Sequence, residues 1–264
     1  MVGPIVADVP VVPVTLFTDP FCAWSWAAEP QLRRLQVEFG GGLAFTFVIV
    51  GLRRRIEPRD AGALALDAVD AAVESGMPAD PRVFLRDPPS STHPAGLALH
   101  AAAEQGDPAR YLRRLREAIY LEGRRMDTAP ALLDAAREAG GLDLDRLRVD
   151  FGSNAIVERF GADLERGRGV RTPAYAFAGG ERVEGFGPYE RVRAAALAAG
   201  AEPVADGFPG VEDALRRFGP MTTAEVTAAC DLPGPRGPAE LWRLALEWRV
   251  RPRRAGGGEL WEPA

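Results

Sequence analysis

Lysine is absent from this chain of 264 residues, so all 32 of its basic residues are arginines. The acidic residues number 37, and the formal net charge is −5. A protein that coats nucleic acid carries an excess of basic residues, so this balance argues against that class of function. With 47% hydrophobic and 26% charged residues, the composition is typical of a soluble globular protein.

Cysteine and histidine are scarce, with two residues of each type. Cys22 and Cys230 cannot form the disulfide framework of a small secreted domain. His93 and His100 belong to no cluster of cysteine, histidine and carboxylate residues with ligand spacing. We therefore predict that the protein binds no metal ion.

The N-terminal stretch MVGPIVADVPVVPV is apolar, but it lacks a positively charged segment and is interrupted by three prolines. This pattern is not typical of a secretory signal, and no later stretch is apolar enough to span a bilayer. We therefore expect a cytoplasmic protein with no membrane partner. In such a reducing compartment, a cysteine with a function is more often catalytic than structural.

The first sixty residues predict a βαβ unit. Residues 13–19 read as a short buried strand, and residues 43–50 read as a second buried strand bounded by glycines. Between them, apolar residues recur at helical spacing, with a break expected at Pro30. A helix that joins two nearby strands in this way favours a parallel pair.

The next 141 residues, 60–200, predict an inserted helical domain followed by a return to β structure. Residues 60–167 contain several segments with an apolar residue at every third or fourth position and no convincing strand. Residues 168–200 then read as a hairpin around Gly179 and Gly180, followed by a helix. The order is βαβ, helices, ββα, with the first βαβ part at 12–59.

The last segment predicts a small separate module. After a linker at 201–210, residues 211–264 contain three helical patterns and a hairpin, which together indicate a winged-helix-like module. Its eight arginines are balanced by eight acidic residues, so we do not expect it to bind nucleic acid. We expect four apolar residues to pack in the small core of the module or against the preceding domain: Trp242, Leu244, Leu246 and Trp248.

The stretch LFTDPFCAWSW places Cys22 between the first strand and its helix. The N–H groups at a helix N-terminus stabilise an anion and can lower the pKa of a thiol from about 8.5 to between about 3.5 and 7.5. In this position a cysteine can be a nucleophile, although an isolated one is more often a small buried residue. Three residues later, where a redox pair would have its second cysteine, the chain has Ser25.

Two motifs resemble those of one family. Asp19, Pro20, Cys22, Trp24 and Trp26 resemble the D-P-x-C-x-W-C-W signature of the cytoplasmic DsbA-like proteins. That group includes the FrnE-type oxidoreductases and relatives of the adaptor that delivers Spx to the ClpXP protease. The stretch GVRTPAYAF is similar to the cis-proline loop of the family. The resemblance covers residues 12–200 and implies a thioredoxin-like α/β fold with an inserted helical domain.

The resemblance also implies roles for individual residues. Cys22 would be the attacking thiolate, and Thr172 would hydrogen-bond to its sulfur. Pro173, in the cis form, would expose the backbone of the preceding residue for pairing with an extended substrate. Further side chains at the two motifs would contact the substrate: Phe21, Trp24, Trp26 and Arg171.

Ser25 departs from the two-cysteine pattern, because a serine hydroxyl cannot attack a mixed disulfide. An outside thiol such as glutathione, acting as a co-substrate and not as a bound cofactor, would have to complete the exchange. We therefore expect thiol–disulfide exchange through one sulfur, with protein or small-molecule thiols and disulfides as partners. Two alternatives stay open: a glutathione-dependent isomerase or transferase, and a non-catalytic adaptor that binds a protein client. Cys230 is either a distant resolving thiol or buried packing, and its apolar helical surroundings favour packing.

Overall fold

The computed structural model describes residues 11–204 and 207–264. Residues 1–10, which include most of the apolar N-terminal stretch, and part of the predicted linker therefore lie outside the described residues.

A mixed four-stranded sheet with the order β2-β1-β3-β4 organises the first part of the chain. Strand β1 (Val12–Thr18) pairs in parallel with β2 (Leu43–Ile49). It pairs on its other side, antiparallel, with β3 (Ala174–Phe177), which continues into β4 (Arg182–Glu184). The β1–β2 connection contains helices α1 (Ala23–Ala27) and α2 (Glu29–Glu38), and α10 (Tyr189–Ala198) follows β4. This is the predicted βαβ and ββα arrangement.

The two strand predictions for the first sixty residues differ in outcome. Strand β1 is largely buried, but β2 is exposed at Ala44 and Thr46 and only half-buried at Phe45 and Phe47. The prediction that β2 is fully buried was wrong, because β2 forms an edge of the sheet. The helix break expected at Pro30 is present: α1 ends at Ala27, and the proline lies in the first turn of α2, where a missing N–H costs no hydrogen bond.

Seven helices separate β2 from β3, as the apolar spacing predicted. They are α3 (Ala61–Ser75), α4 (Arg82–Arg86), α5 (His93–Ala103), α6 (Ala109–Tyr120), α7 (Ala129–Ala139), α8 (Leu144–Asp150) and α9 (Asn154–Arg166). Their apolar faces form one large core with α1, in which Trp26, Leu99 and Tyr120 are fully enclosed. A second core, containing Val14 and Leu35, lies where α2 and α10 pack on the sheet.

The C-terminal segment contains three helices and a three-stranded antiparallel sheet with the order β5-β7-β6. Its elements in chain order are α11 (Val211–Phe218), β5 (Met221–Thr222), α12 (Thr223–Ala229), α13 (Arg236–Leu246), β6 (Val250–Ala255) and β7 (Gly258–Pro263). Helix α12 packs against α2, and Leu260 of β7 joins the large core of the helical region. The winged-helix description and the domain boundaries stay predictions.

The apolar residues of α13 do not all behave as predicted. Leu244 is buried in the core of this segment, and Trp242 packs edge-on against Trp261 while remaining half exposed. Leu246 and Trp248 are 82% and 86% exposed, so the expectation that they pack inside was wrong. The helix ends at Leu246, and the left-handed backbone of Trp248 (φ 58°) redirects the chain into β6, leaving both side chains outside.

Candidate active site

Cys22 is the N-cap residue of α1, with an extended backbone (φ −80°, ψ 109°). Its sulfur accepts a hydrogen bond from the backbone N–H of Ser25 at 3.3 Å, and its own N–H donates to the carbonyl of Asp19 at 3.1 Å. The turn therefore aims a helix N–H that has no partner within the helix at the sulfur. Cys22 is only 6% exposed.

The Thr172–Pro173 peptide bond is cis, as the motif predicted, and it faces Cys22. The Thr172 hydroxyl oxygen lies 3.1 Å from the Cys22 sulfur, and the Thr172 carbonyl lies 3.9 Å from it. The backbone N–H of Gly185 donates to the carbonyls of Arg171 (3.0 Å) and Pro173 (2.8 Å). The end of β4 thus fixes this loop beside the sulfur.

Ser25 lies in the same helical turn and is almost fully buried. Its hydroxyl oxygen has no hydrogen-bond partner among the residues that the structure describes. A hydroxyl cannot carry out thiol–disulfide exchange, so the position that neighbours Cys22 supplies no second sulfur.

Asp19 is more important to the site than the sequence motif indicated. Its fully buried carboxylate accepts the backbone N–H of Phe21 at 2.8 Å and that of Leu52 at 3.1 Å. It therefore ties the Cys22 turn to the loop after β2. Burial raises the pKa of Asp19 to about 6, against the opposing effect of these two N–H groups and of Arg116. The signal in the sequence was an acidic residue at the end of a buried strand, directly before the Pro-Phe-Cys turn.

A buried ion pair beneath the site was missed altogether. Arg116 of α6 is almost completely buried, and its guanidinium donates to the carboxylate of Glu29 and to the hydroxyl of Thr18. Burial alone would raise the pKa of Glu29, but three surrounding arginines, of which Arg116 acts most strongly, hold it below its ordinary value. The available signal was that Arg116 lies four residues after Leu112, on the apolar face of its helix.

The side chains expected to contact substrate divide into two groups. Trp26 is 1% exposed, donates from Nε1 to the carbonyl of Pro78 at 2.9 Å and stacks on Tyr120. Phe21 is likewise buried in the large core. Both side chains are buried, and the substrate-contacting role expected for them stays a prediction.

Trp24 and Arg171 do reach the surface. Trp24 is half-buried two residues from Cys22, and its ring lies 5.8 Å from that of Phe186, centroid to centroid. Sequence reasoning did not single out Phe186, which extends this apolar face. Arg171 is exposed and is held through its backbone N–H, which donates to the carboxylate of Glu184 at 3.1 Å.

Cys230 lies far along the chain from this site, in the core of the C-terminal segment. Burial raises the pKa of its thiol to about 12, and the nearby charge of Asp213 adds to this effect. Such a thiol is protonated at neutral pH and is a poor nucleophile.

Within residues 11–204 and 207–264, no group of three or more His, Cys, Asp or Glu residues could hold a metal ion. No helix in these ranges is long and apolar enough to cross a membrane.

Three features define the thioredoxin class of thiol sites. They are a mixed sheet, a cysteine at the N-terminus of the first helix and a cis-proline loop that faces this cysteine. Residues 15–171 match the thioredoxin family, and the chain belongs to that family. This confirms the predicted fold class.

Three relatives illustrate the similarity. The ClpXP adapter protein SpxH of Halalkalibacterium halodurans is 27% identical over 265 residues, which cover 93% of this chain and 86% of the relative. A putative protein disulfide isomerase from Nitrosomonas europaea superposes with a TM-score of 0.62 at 18% identity, over 71% of this chain and 97% of that one. The cytosolic disulfide reductase DsbM from Pseudomonas aeruginosa, solved with GSH, has a TM-score of 0.51 and 26% identity, over 62% and 85% of the two chains.

Proposed function

We propose that this protein is a thiol–disulfide exchanger that works with one sulfur, that of Cys22, in a reducing cytoplasm. The observation that carries the proposal is the placement of this sulfur between the Ser25 N–H (3.3 Å) and the Thr172 hydroxyl (3.1 Å). Both groups can donate a hydrogen bond to a thiolate sulfur, which is the form of cysteine that attacks a disulfide.

The reaction that fits this site has two exchange steps. In the first, the Cys22 thiolate attacks the glutathione sulfur of a mixed disulfide between glutathione and a client thiol. A disulfide forms between Cys22 and glutathione, the original S–S bond breaks, and the client leaves as a thiolate that takes a proton from water. In the second, the thiolate of another glutathione attacks the Cys22-bound glutathione, which yields oxidised glutathione and restores the Cys22 thiolate. In balance, one client–glutathione mixed disulfide and one reduced glutathione become one client thiol and one oxidised glutathione.

Glutathione is the outside thiol that the proposal requires, because the chain offers no competent second sulfur near Cys22. Ser25 cannot resolve the intermediate, and the raised pKa and burial of Cys230 disfavour its attack. The DsbM structure, which contains GSH, supports the choice of glutathione for this fold. The half-buried face of Trp24 and Phe186 would receive the client beside the sulfur. The Thr172 backbone would pair with its extended chain.

The direct test is turnover of a glutathionylated peptide in the presence of reduced glutathione. We expect catalysed release of the free peptide by the unmodified protein and no catalysis by Cys22→Ser. The matched control is Cys230→Ser, which removes the other sulfur and should retain full activity. Loss of activity in Cys230→Ser with retention in Cys22→Ser would refute the assignment.

A non-catalytic adaptor is the second candidate, and the SpxH relatives favour it, because their similarity extends over more than nine tenths of this chain. An adaptor would use the same surface, the face of Trp24 and Phe186 beside Thr172, to hold a client without needing a reactive thiol. If the unmodified protein and Cys22→Ser are both inactive on the peptide, the adaptor becomes the better reading.

A further inference from the structure

Helix α3 has an apolar outer face that nothing in the described chain covers. Leu66, Val69 and Val73 are 64%, 42% and 80% exposed. Their spacing of three and four residues places them in one stripe along the helix. Three large aliphatic side chains aligned on one exposed helix face are typical of an interaction surface, whereas single exposed ones need no explanation.

The opposite face of α3 already supplies the packing that holds the helix in the fold. Leu64, Ala65, Ala68 and Ala71 are buried there in the large core. A helix that is apolar on both faces is ordinarily buried on both. The exposed stripe is therefore not required for packing α3 into this fold.

A row of acidic residues runs along one edge of this stripe. Asp67, Asp70 and Glu74 follow it with the same helical spacing, and α3 contains no basic residue. None of the three forms an ion pair with any residue in the described ranges 11–204 and 207–264. Partial burial raises the pKa of Asp67, the negative charge of Asp70 raises it further, and Arg53 only partly opposes them. Asp67 and Asp70 thus repel each other, and the charge of Arg53 offsets this repulsion only in part.

We propose that the outer face of α3 docks an amphipathic helix of a protein partner that carries arginine or lysine residues along one edge. The apolar stripe would bury the apolar side of the partner helix, and the acidic row would pair with its basic edge. A second copy of this chain would bring two acidic rows together, and an anionic membrane surface would be repelled in the same way, so neither fits.

The helix that carries the proposed surface also contacts the region of the candidate active site. Helix α3 packs against α1, the short helix that begins directly after Cys22, and the apolar stripe lies on the opposite, outer face of α3. The docking does not depend on thiol chemistry, so it can be tested independently of the proposed exchange reaction.

The test uses the full chain and two synthetic helical peptides without cysteine, labelled with fluorescein. One has leucines on one face and arginines along one edge; in the other, each arginine is replaced by glutamate. Fluorescence anisotropy should show saturable binding of the arginine peptide, at least about tenfold tighter than the glutamate peptide and weakened by added salt. Absence of saturable binding, or equal affinity for the two peptides, would overturn the proposal.

Two variants locate the binding on α3. Val73→Asp should weaken binding of the arginine peptide by about tenfold or more, since it places a charge in the apolar stripe. Val149→Asp is the matched control, because Val149 is 75% exposed on α8, and its affinity should stay within about twofold of the unmodified protein. Equal weakening by the two variants, or no weakening by Val73→Asp, would contradict docking on this face.

A charge reversal gives a readout that misfolding cannot imitate. Asp70→Arg combined with Glu74→Arg should invert the preference, so that the glutamate peptide binds more tightly than the arginine peptide. An unchanged preference would refute the role of the acidic row.

Light scattering on the same samples tests whether a second copy of this chain covers the face instead. A dimer that Val73→Asp abolishes would show that it does, and would overturn the proposal.

Discussion

The replacement Asp19→Asn should change how the stability of the protein depends on pH. Asp19 is completely buried beneath the Cys22 turn, and burial raises its pKa from 3.8 to about 6. A carboxyl group with a raised pKa in the folded state binds its proton more tightly there than in the unfolded chain. Its stabilising contribution is therefore fully present below pH 3.8 and is lost as the pH rises through about 6.

The size of this effect follows from the shift. A rise from 3.8 to about 6, at about 1.4 kcal/mol per pH unit, gives about 3 kcal/mol. The free energy of unfolding of the unmodified protein, minus that of Asp19→Asn, should fall by about this amount between pH 4 and pH 7. The difference between the two proteins removes the contributions of the other titrating groups.

Urea denaturation at a series of pH values, followed by tryptophan fluorescence, measures this difference directly. Asparagine has only one oxygen to accept from the N–H groups of Phe21 and Leu52, so the variant should be less stable at pH 4 and should recover relative to the unmodified protein at higher pH. A difference that is constant from pH 4 to pH 7 would show that Asp19 does not titrate in this range, and would refute the reasoning.

Two further changes test the single-sulfur chemistry and the docking of the C-terminal segment. Ser25→Cys should create a dithiol pair, since residue 25 already lies in the first turn beside Cys22. Insulin reduction should then rise by about tenfold or more. If the unmodified protein is already as active as the variant, another thiol resolves the intermediate. Glu225→Ala should remove the buried carboxylate that Arg113 contacts at 2.7 and 2.9 Å. Because it leaves that arginine without its strongest partner, we expect it to lower the free energy of unfolding by about 3–5 kcal/mol in urea denaturation. A loss below about 1 kcal/mol, as for an exposed pair, would contradict a buried ionic link between the segments.

The parts of this fold that sequence reasoning found are those with local causes. Glycines at 179 and 180 mark a hairpin because they accept turn geometries, and Pro30 ends α1 because proline is tolerated only in the first turn of a helix. The cysteine and the cis-proline loop were recognised because each is a short motif whose residues are adjacent in sequence. Each of these features can be predicted without knowing which helices and strands become neighbours in the fold.

The parts that sequence reasoning missed depend on tertiary neighbours. Strand β2 is half exposed because it is an edge of the sheet, and apolar composition does not reveal strand order. Arg116 was not singled out, because only the tertiary packing of α6 brings it to its partner Glu29. Periodicity likewise marked Trp26 and Leu246 only as apolar; the structure encloses the first and exposes the second.

If Cys22 is the only sulfur that takes part in exchange, the intact protein incubated with oxidised glutathione should gain the mass of one glutathionyl group per chain. Peptide mapping should locate that group on Cys22, reduced glutathione should remove it, and Cys22→Ser should carry no adduct. An internal disulfide between Cys22 and Cys230, or an adduct on Cys230 while Cys22 stays free, would show instead that Cys230 takes part.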